Sequence, residues 1–305
     1  MRGWLRILIG ILIVAIVVFS GGYYWYFLDY RTPPGSYSID LAAVRALAQS
    51  QAGSKPAEIR VEHVGDFSMP LAIAVTGAPW TKQDAVVLSY QLVFPDRTII
   101  VDTAFDQALS AKMSASGFNA KAYDHMIAAM AAASDIVITH EHPDHIGGLV
   151  SDPNLSHNLA NTRLISEQLS DPSKMGDAHF PSGALTGYQP LNYDRLYALA
   201  PGVVLIKSPG HTPGSQMVYV QTQDDREFLI IGDVAWHALN IEKIRPRPRL
   251  TSNLMLKEDR DTVALELAEL NRIAAAEPKI ILIPGHDAGV YQRLLKDGLL
   301  IDGFK

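Results

Sequence analysis

Apolar residues are arranged along this chain in three ways, and each way predicts a different kind of element. From Ile7 to Leu28 there are 22 consecutive residues without a charge, closing on Tyr23, Tyr24, Trp25, Tyr26 and Phe27. As a helix that stretch reaches about 33 Å, enough for a hydrocarbon core of about 30 Å. Further on, short runs rich in β-branched residues and broken by Pro, Gly or Asp predict strands at 59–64, 71–77, 85–94 and 98–105, and again at 203–208, 217–222, 227–233 and 279–284. The run Asp135 to Thr139 is short enough for a buried strand. Helical spacing predicts three more helices: one capped by Ser38 or Asp40 and running to Gln51, one at 121–133, and one at 259–277. Between 151 and 190 the chain is polar and rich in Pro and Gly. Such a mixture of strands and helices predicts an α+β domain over residues 57–305. Residues 29–56 read as a Pro-containing linker and short helix, and residues 1–28 as a transmembrane anchor.

Charge orients the anchor. Arg2, Arg6 and the amino terminus precede the apolar run, whereas Asp29 and Arg31 cancel after it. The positive-inside rule puts the N-terminus in the cytoplasm and the remainder on the other face, periplasmic or extracellular. Trp4 and the Tyr/Trp cluster fit the two interfacial belts. The competing reading is a cleaved secretory signal ending at Val18-Phe19-Ser20.

Composition narrows the chemistry. With 26 Lys and Arg against 32 Asp and Glu, the net charge of −6 argues against a nucleic-acid partner held by a broad basic face. The only dense basic run, Lys243, Arg245, Arg247 and Arg249, reads as a solvated extended loop, or as a contact for an anionic substrate group or lipid headgroups. There is no cysteine, which removes disulfides, thiolate nucleophiles and thiolate metal sites together. No GxGxxG or GxxxxGK[ST] loop is present, so a nucleotide-binding α/β fold is disfavoured.

The ten histidines carry the information that remains. Directly after the strand at 135–139 comes His140-Glu141-His142-Pro143-Asp144-His145, followed by Gly147 and Gly148. Three imidazoles and an acid packed this closely would lack acceptors, or would have to be charged, unless a cation joins them. Three further motifs at strand ends supply partners: His211 in PGHTPG, Asp233 in IGD, and His286 in PGHD. Each alone is an ordinary turn. Together they read as His140, His142 and His211 for one metal and Asp144, His145 and His286 for another, with Asp233 between them. Histidines 63, 125, 157 and 179 fit no such spacing.

HEHPDH resembles the HxHxDH signature of the metallo-β-lactamase superfamily, and His211, Asp233 and His286 follow in the expected order. The resemblance runs from about residue 57 onward. It implies a four-layer αβ/βα sandwich with a dinuclear hydrolase site at the sheet edge, and Asp102 as a carboxylate orienting a metal-binding histidine. Nitrogen and oxygen ligation suits two divalent ions, zinc first, with iron or manganese also compatible. Such a pair holds a hydroxide at neutral pH, with Asp144 as ligand and proton-steering catalytic residue.

Departures from individual branches narrow the substrate. Asp233 stands where true β-lactamases usually carry Ser or Cys. Only 19 residues follow His286, too few for the helical extension of glyoxalase II enzymes. His142 departs from flavodiiron proteins, and no insertion suggests an RNA exosite. Lactonases fit best, although their Tyr three residues after the bridging Asp is Trp236 here. The resulting expectation is hydrolysis of a small lactone or ester. The alternatives are a phosphodiester or thioester hydrolase, a mononuclear-iron persulfide dioxygenase, and a metal-bound module without catalysis. Trp236 is expected as a pocket wall or core residue, and His237 as a neighbour of the site or a surface residue.

The anchor reading has a direct check. A reporter fused after Lys305 should be active only outside the cytoplasm, and the mature chain should keep Met1. An N-terminus at Gly21 or Tyr23 would show a cleaved signal instead.

Overall fold

The computed structural model describes residues 2–305; Met1 and the side chain of Arg2, both used in the charge argument, lie outside the described residues. A helix over Arg2–Tyr23 passes into a π-helical turn at Tyr24–Leu28. It is long and apolar enough to cross a membrane and is unburied by the rest of the chain.

Two sheets make the body. The first is built from β1 (Glu58–Pro70), β2 (Lys82–Val93), β3 (Thr98–Val101), the two-residue β4 (Gly117–Phe118) and β5 (Asp135–Val137). The second holds β6 (Leu196–Ala200), β7 (Val203–Lys207), β8 (Gln216–Gln221), β9 (Glu227–Ile230) and β10 (Ile280–Ile283). A last short strand, β11 (Ile301–Asp302), returns to the first sheet and pairs with β1. The strand orders are β11-β1-β2-β3-β5, with β4 beside β1, and β10-β9-β8-β7-β6.

Alternation along the strands decides what each face meets. Val86, Leu88, Tyr90 and Leu92 of β2 join Val203, Leu205, Val218 and Val220 in the core between the sheets. Residues one step out of phase turn outward. Val87 and Ile100 pack under the helices Ala120–Ala132 and Pro143–Ser151, whereas Val204, Met217 and Tyr219 pack under Leu41–Ala48 and Arg260–Ala276. Both faces of each sheet are covered, which is why β2, β7 and β8 read as nearly unbroken apolar runs. The result is the four-layer sandwich expected.

Several elements differ from the pattern reading. The run 71–77 is not a strand: after Pro70 it forms one helical turn, Leu71–Ala74, closed by the Val75 N–H on Leu71. Pro70 brings no N–H to extend the ladder, and Leu71 and Ala72 bond back to Thr81 and Pro79 instead. Asp40, not Ser38, caps the helix at Leu41. The strand begun at Thr98 stops at Val101, because Asp102 and Ala104 take positive φ. The polar region 151–190 contains a helix, Leu155–Asn161, and the pattern missed β6, Gln107–Lys112 and the strongly amphipathic Ala288–Lys296. Residues 29–48 lie against the body, with Ile39, Val44 and Ala48 in the core of the second sheet's helical face.

The helix Arg260–Ala276 buries an acid. Glu266 is fully enclosed; one carboxylate oxygen accepts from the Gly210 N–H at 3.2 Å and the other has no partner. Burial, with help from nearby Glu258, pushes this carboxyl up to about 8. The folded chain therefore keeps a proton that the unfolded chain has released, and stability should fall as pH rises from about 5 to about 8. In Glu266→Gln that fall should flatten, and thermal melts across the window test it. A parent whose Tm does not decline there would contradict the assignment.

Candidate metal centre

Strand direction gathers the site. Within the first sheet β3 and β5 run the same way, and within the second β7, β9 and β10 do, parallel as neighbours or related through one antiparallel partner; the side chains that follow their C-terminal ends meet at one edge of the sandwich. Asp102, His140, His211, Asp233 and His286 leave from those ends. Asp144 and His145 come from the first turn of the helix that Pro143 begins, so this pair sits on a helix rather than in the loop. Gly148 lets that helix sit tightly against the turn after Asp102, since a Cβ there would fall 2.1 Å from the Thr103 carbonyl oxygen.

Two groups of side chains able to hold a metal result: His140, His142, His211 and Asp233, and beside them Asp144, His145 and His286. In the first, His142 Nδ1 lies 3.1 Å from His140 Nε2 and 2.9 Å from His211 Nε2. In the second, His286 Nε2 and His145 Nε2 lie 3.5 and 3.8 Å from Asp144 Oδ2. Asp233 reaches both groups, with Oδ2 at 3.4 Å from His211 Nε2 and Oδ1 at 3.1 Å from His286 Nε2.

The outward ring nitrogens are tied down. His145 Nδ1 lies 2.8 Å from Asp102 Oδ2, His286 Nδ1 donates to the Val86 carbonyl at 2.8 Å, and His211 Nδ1 donates to Glu258 Oε2 at 2.9 Å. Each bond turns the other nitrogen, with its lone pair, inward. Asp102 is itself fixed by the Thr139 N–H and hydroxyl at 2.6 and 2.8 Å.

Electrostatics follow from burial and neighbours. Burial, then the adjacent imidazoles, holds His140 and His142 well below the usual histidine range, and burial with Arg247 lowers His211. These rings are neutral ligand-type imidazoles. Burial also opposes charge on His145 and His286, but Asp102, Asp233 and Asp144 outweigh it for the first, and Asp233 and Asp144 for the second, raising both. Burial likewise raises Asp233, yet His286, His145 and His140 overcome it and hold the carboxyl well below its ordinary value. Negative charge is thus concentrated where His145 Nε2 and Asp233 Oδ1, both buried, have no hydrogen-bond partner. Lone pairs converging from His140, His142 and His211, an orphaned carboxylate oxygen, and carboxylates that draw protons onto His145 and His286 are the donor set of a cation site, where a divalent ion fits in place of those protons.

Above the two groups opens a cavity of about 670 Å³, lined by His142, Asp144 and Trp236 and by the apolar Phe67, Met113 and Met255. Trp236 is more than a wall, since its Nε1 donates to Asp233 Oδ2 at 2.6 Å. His237 stays outside the centre and caps the short helix Ala238–Glu242. Glu141 turns away and accepts from Thr212 Oγ1 at 2.8 Å. Histidines 63, 125 and 157 bond locally to Asp66, Glu62 and the Ala131 carbonyl.

Two residues of this network were not anticipated. Arg247 was read as part of a solvated run, but it is buried, pairs with buried Glu258 and stacks 5.0 Å from the Trp236 ring. Arg247 and His211 together hold Glu258 down to about 2 against the burial penalty.

The Metallo-beta-lactamase superfamily matches residues 84–286, and the chain belongs to that superfamily. It is 25% identical over 155 residues to an N-acyl homoserine lactonase of Bacillus thuringiensis, covering 50% of this chain and 55% of that protein. A Bacillus cereus N-acyl homoserine lactonase is 26% identical over 156 residues with the same coverages. The chain thus spans about half the length of the curated relatives it matches. Among solved structures, a quorum-quenching N-acyl homoserine lactone lactonase superposes with a TM-score of 0.59 at 18% identity, covering 78% of this chain and 95% of that one. The dizinc quorum-quenching lactonase AidC gives a TM-score of 0.52 at 16% identity, covering 77% and 89%.

If Glu258 sets the His211 ring, Glu258→Gln should weaken metal binding by about 10–100-fold. Gly285→Ala should weaken it too, because a Cβ there meets Asp233 Oδ1 at 2.3 Å. Competition with a chromophoric chelator reads both; retained affinity in both variants would contradict this arrangement.

Proposed function

We propose that this chain is a membrane-anchored hydrolase that opens a lactone or ester bond with two divalent ions, zinc first among them. The observation that carries the reading is the pair of ligand groups sharing Asp233 beneath a largely apolar cavity. The relatives support a lactone as substrate class, since their names specify N-acyl homoserine lactones, small molecules with a polar ring and an apolar tail. We take His140, His142, His211 and Asp233 as ligands of one ion and Asp144, His145, His286 and Asp233 as ligands of the other. Residues 57–305 form the catalytic domain, 29–56 the linker and short helix, and 1–28 the anchor, with the domain on the non-cytoplasmic side.

Ions bound there would polarise the acyl oxygen and supply a water-derived nucleophile at neutral pH. The chain's own residues do the rest. Asp102, Glu258 and the Val86 carbonyl fix three imidazole rings before substrate arrives, so no reorganisation is needed during reaction. Asp144 faces the cavity, where its carboxylate can take the nucleophile's proton and pass it toward the leaving oxygen. The indole N–H of Trp236 holds Asp233, and its ring closes the cavity beside His286. Phe67, Met69 and Met113 offer an acyl tail an apolar wall.

A substrate panel with added zinc or manganese tests this. Lactones or aryl esters should be turned over with higher kcat/KM than β-lactams, phosphodiesters or glutathione thioesters. Asp144→Asn should cut kcat severely, and Trp236→Ala, which frees the Asp233 carboxylate as well as opening the cavity wall, should lower kcat and raise KM together. A phosphodiester as best substrate would remove the acyl assignment, and oxygen uptake with a persulfide and a single iron would replace it.

A further inference from the structure

Beyond the N-terminal helix and the turn that ends it, the exposed large hydrophobic residues among those described are three: Trp80, Leu254 and Met255, at 50%, 59% and 61% exposure. They are not scattered. Trp80 donates its Nε1 to the Tyr23 hydroxyl at 2.9 Å and packs 5.1 Å from the Phe27 ring, at the end of the apolar helix. Leu254 and Met255 lie on the π-helical segment Leu250–Leu256. Its preceding residue, Arg249, bonds Asp29 at 2.8 Å and stacks 4.2 Å from Trp25.

This junction is stiff. Asp29 is buried, Arg260 donates to its carbonyl at 3.0 Å, the Gly77 N–H donates to the Phe27 carbonyl at 3.0 Å, and Arg245 covers the Tyr30 ring at 4.7 Å. The helix therefore leaves the body at a fixed place, beside the apolar residues. Lys174 pins the far end of the segment through the Leu256 and Lys257 carbonyls at 3.0 and 2.9 Å. Exposed Lys257 follows this segment directly in sequence, and exposed Arg31 lies two residues past Asp29. Met255 is both exposed and part of the cavity lining, so the cavity mouth opens at this patch.

We propose that Trp80, Leu254 and Met255 form a second membrane contact, seated in the interfacial layer of the bilayer that holds the helix, so that the cavity opens toward lipid. This rests on the anchor reading above. Single exposed apolar residues need no explanation, but three gathered at the root of an apolar helix gain by burial at an interface. The substrate class is sharpened accordingly: an amphiphile whose apolar tail resides in the bilayer enters past Met255, tail toward Phe67 and Met113, and polar group toward Asp144.

The chain has no cysteine, so one introduced cysteine labels one position. Full-length Leu254→Cys, Met255→Cys, Ile13→Cys and Asp96→Cys variants would carry an environment-sensitive fluorophore in phosphatidylcholine vesicles containing some phosphatidylglycerol. Asp96, in the β2–β3 turn at the opposite edge of the sandwich, is the aqueous control. Brominated acyl chains should quench the labels at 13, 254 and 255 and spare the one at 96, which aqueous iodide should quench. Quenching at 13 with labels at 254 and 255 behaving like the one at 96 overturns the second contact and leaves the anchor standing. A label at 13 that also escapes overturns both. These readings are independent of turnover, so failure of the lactone assignment is seen separately in the substrate panel. As a second variant, Leu254→Asp should raise KM several-fold for a long-acyl lactone partitioned into vesicles and leave a short-acyl lactone unaffected; equal effects on both would overturn entry from lipid.

Discussion

The constraint on which this structure turns is a shortage of protons among crowded nitrogens. His140, His142 and His211 bring three imidazole nitrogens into a patch where two contacts are near 3 Å, and burial keeps those rings uncharged. Neutral rings cannot all donate to one another, and the carboxylate of Asp233 faces the same space. A protein interior tolerates this arrangement only where positive charge is meant to arrive. Much else follows: the strand direction within each sheet that delivers the candidate ligands, the glycines that let backbone approach, and the outer acceptors that orient the rings.

Those outer acceptors come from separate places, and this governs how much the sequence could disclose. The candidate ligands announce themselves because each sits in a short motif at a strand end, and HEHPDH has no comfortable alternative. Asp102 was visible only through the family resemblance, because the apolar pattern ran the strand on past it to residue 105. Glu258 was not, since it lies 47 residues from His211 and precedes an ordinary helix cap at Asp259. Arg247 was hidden by its company, because alternation with proline looks solvated until its buried partner is known.

Secondary structure shows the same division. Strands buried on both faces and helices with a cap were legible from local pattern, as with Asp259 at the start of Arg260–Ala276. The turn Leu71–Ala74 was not, because its conformation is set by bonds to Thr81 and Pro79 across a loop and not by the apolar letters themselves. The edge strand β6 was missed for a related reason: Leu196 to Leu199 are apolar but carry no β-branched residue and no alternation, and pairing with β7 makes them a strand.

The two sheets contribute to the centre in nearly equal measure. His140, His142, Asp144 and His145 follow the first sheet's β5, whereas His211, Asp233 and His286 follow strands of the second. Neither half of the sandwich owns a complete set, so ions seated there would act as rivets across its seam. Ions that bind only the assembled pair of sheets would hold the halves together by mass action. Resistance to heat and protease would then follow the metal supply of the compartment in which the protein resides, and starvation for metal would loosen the fold.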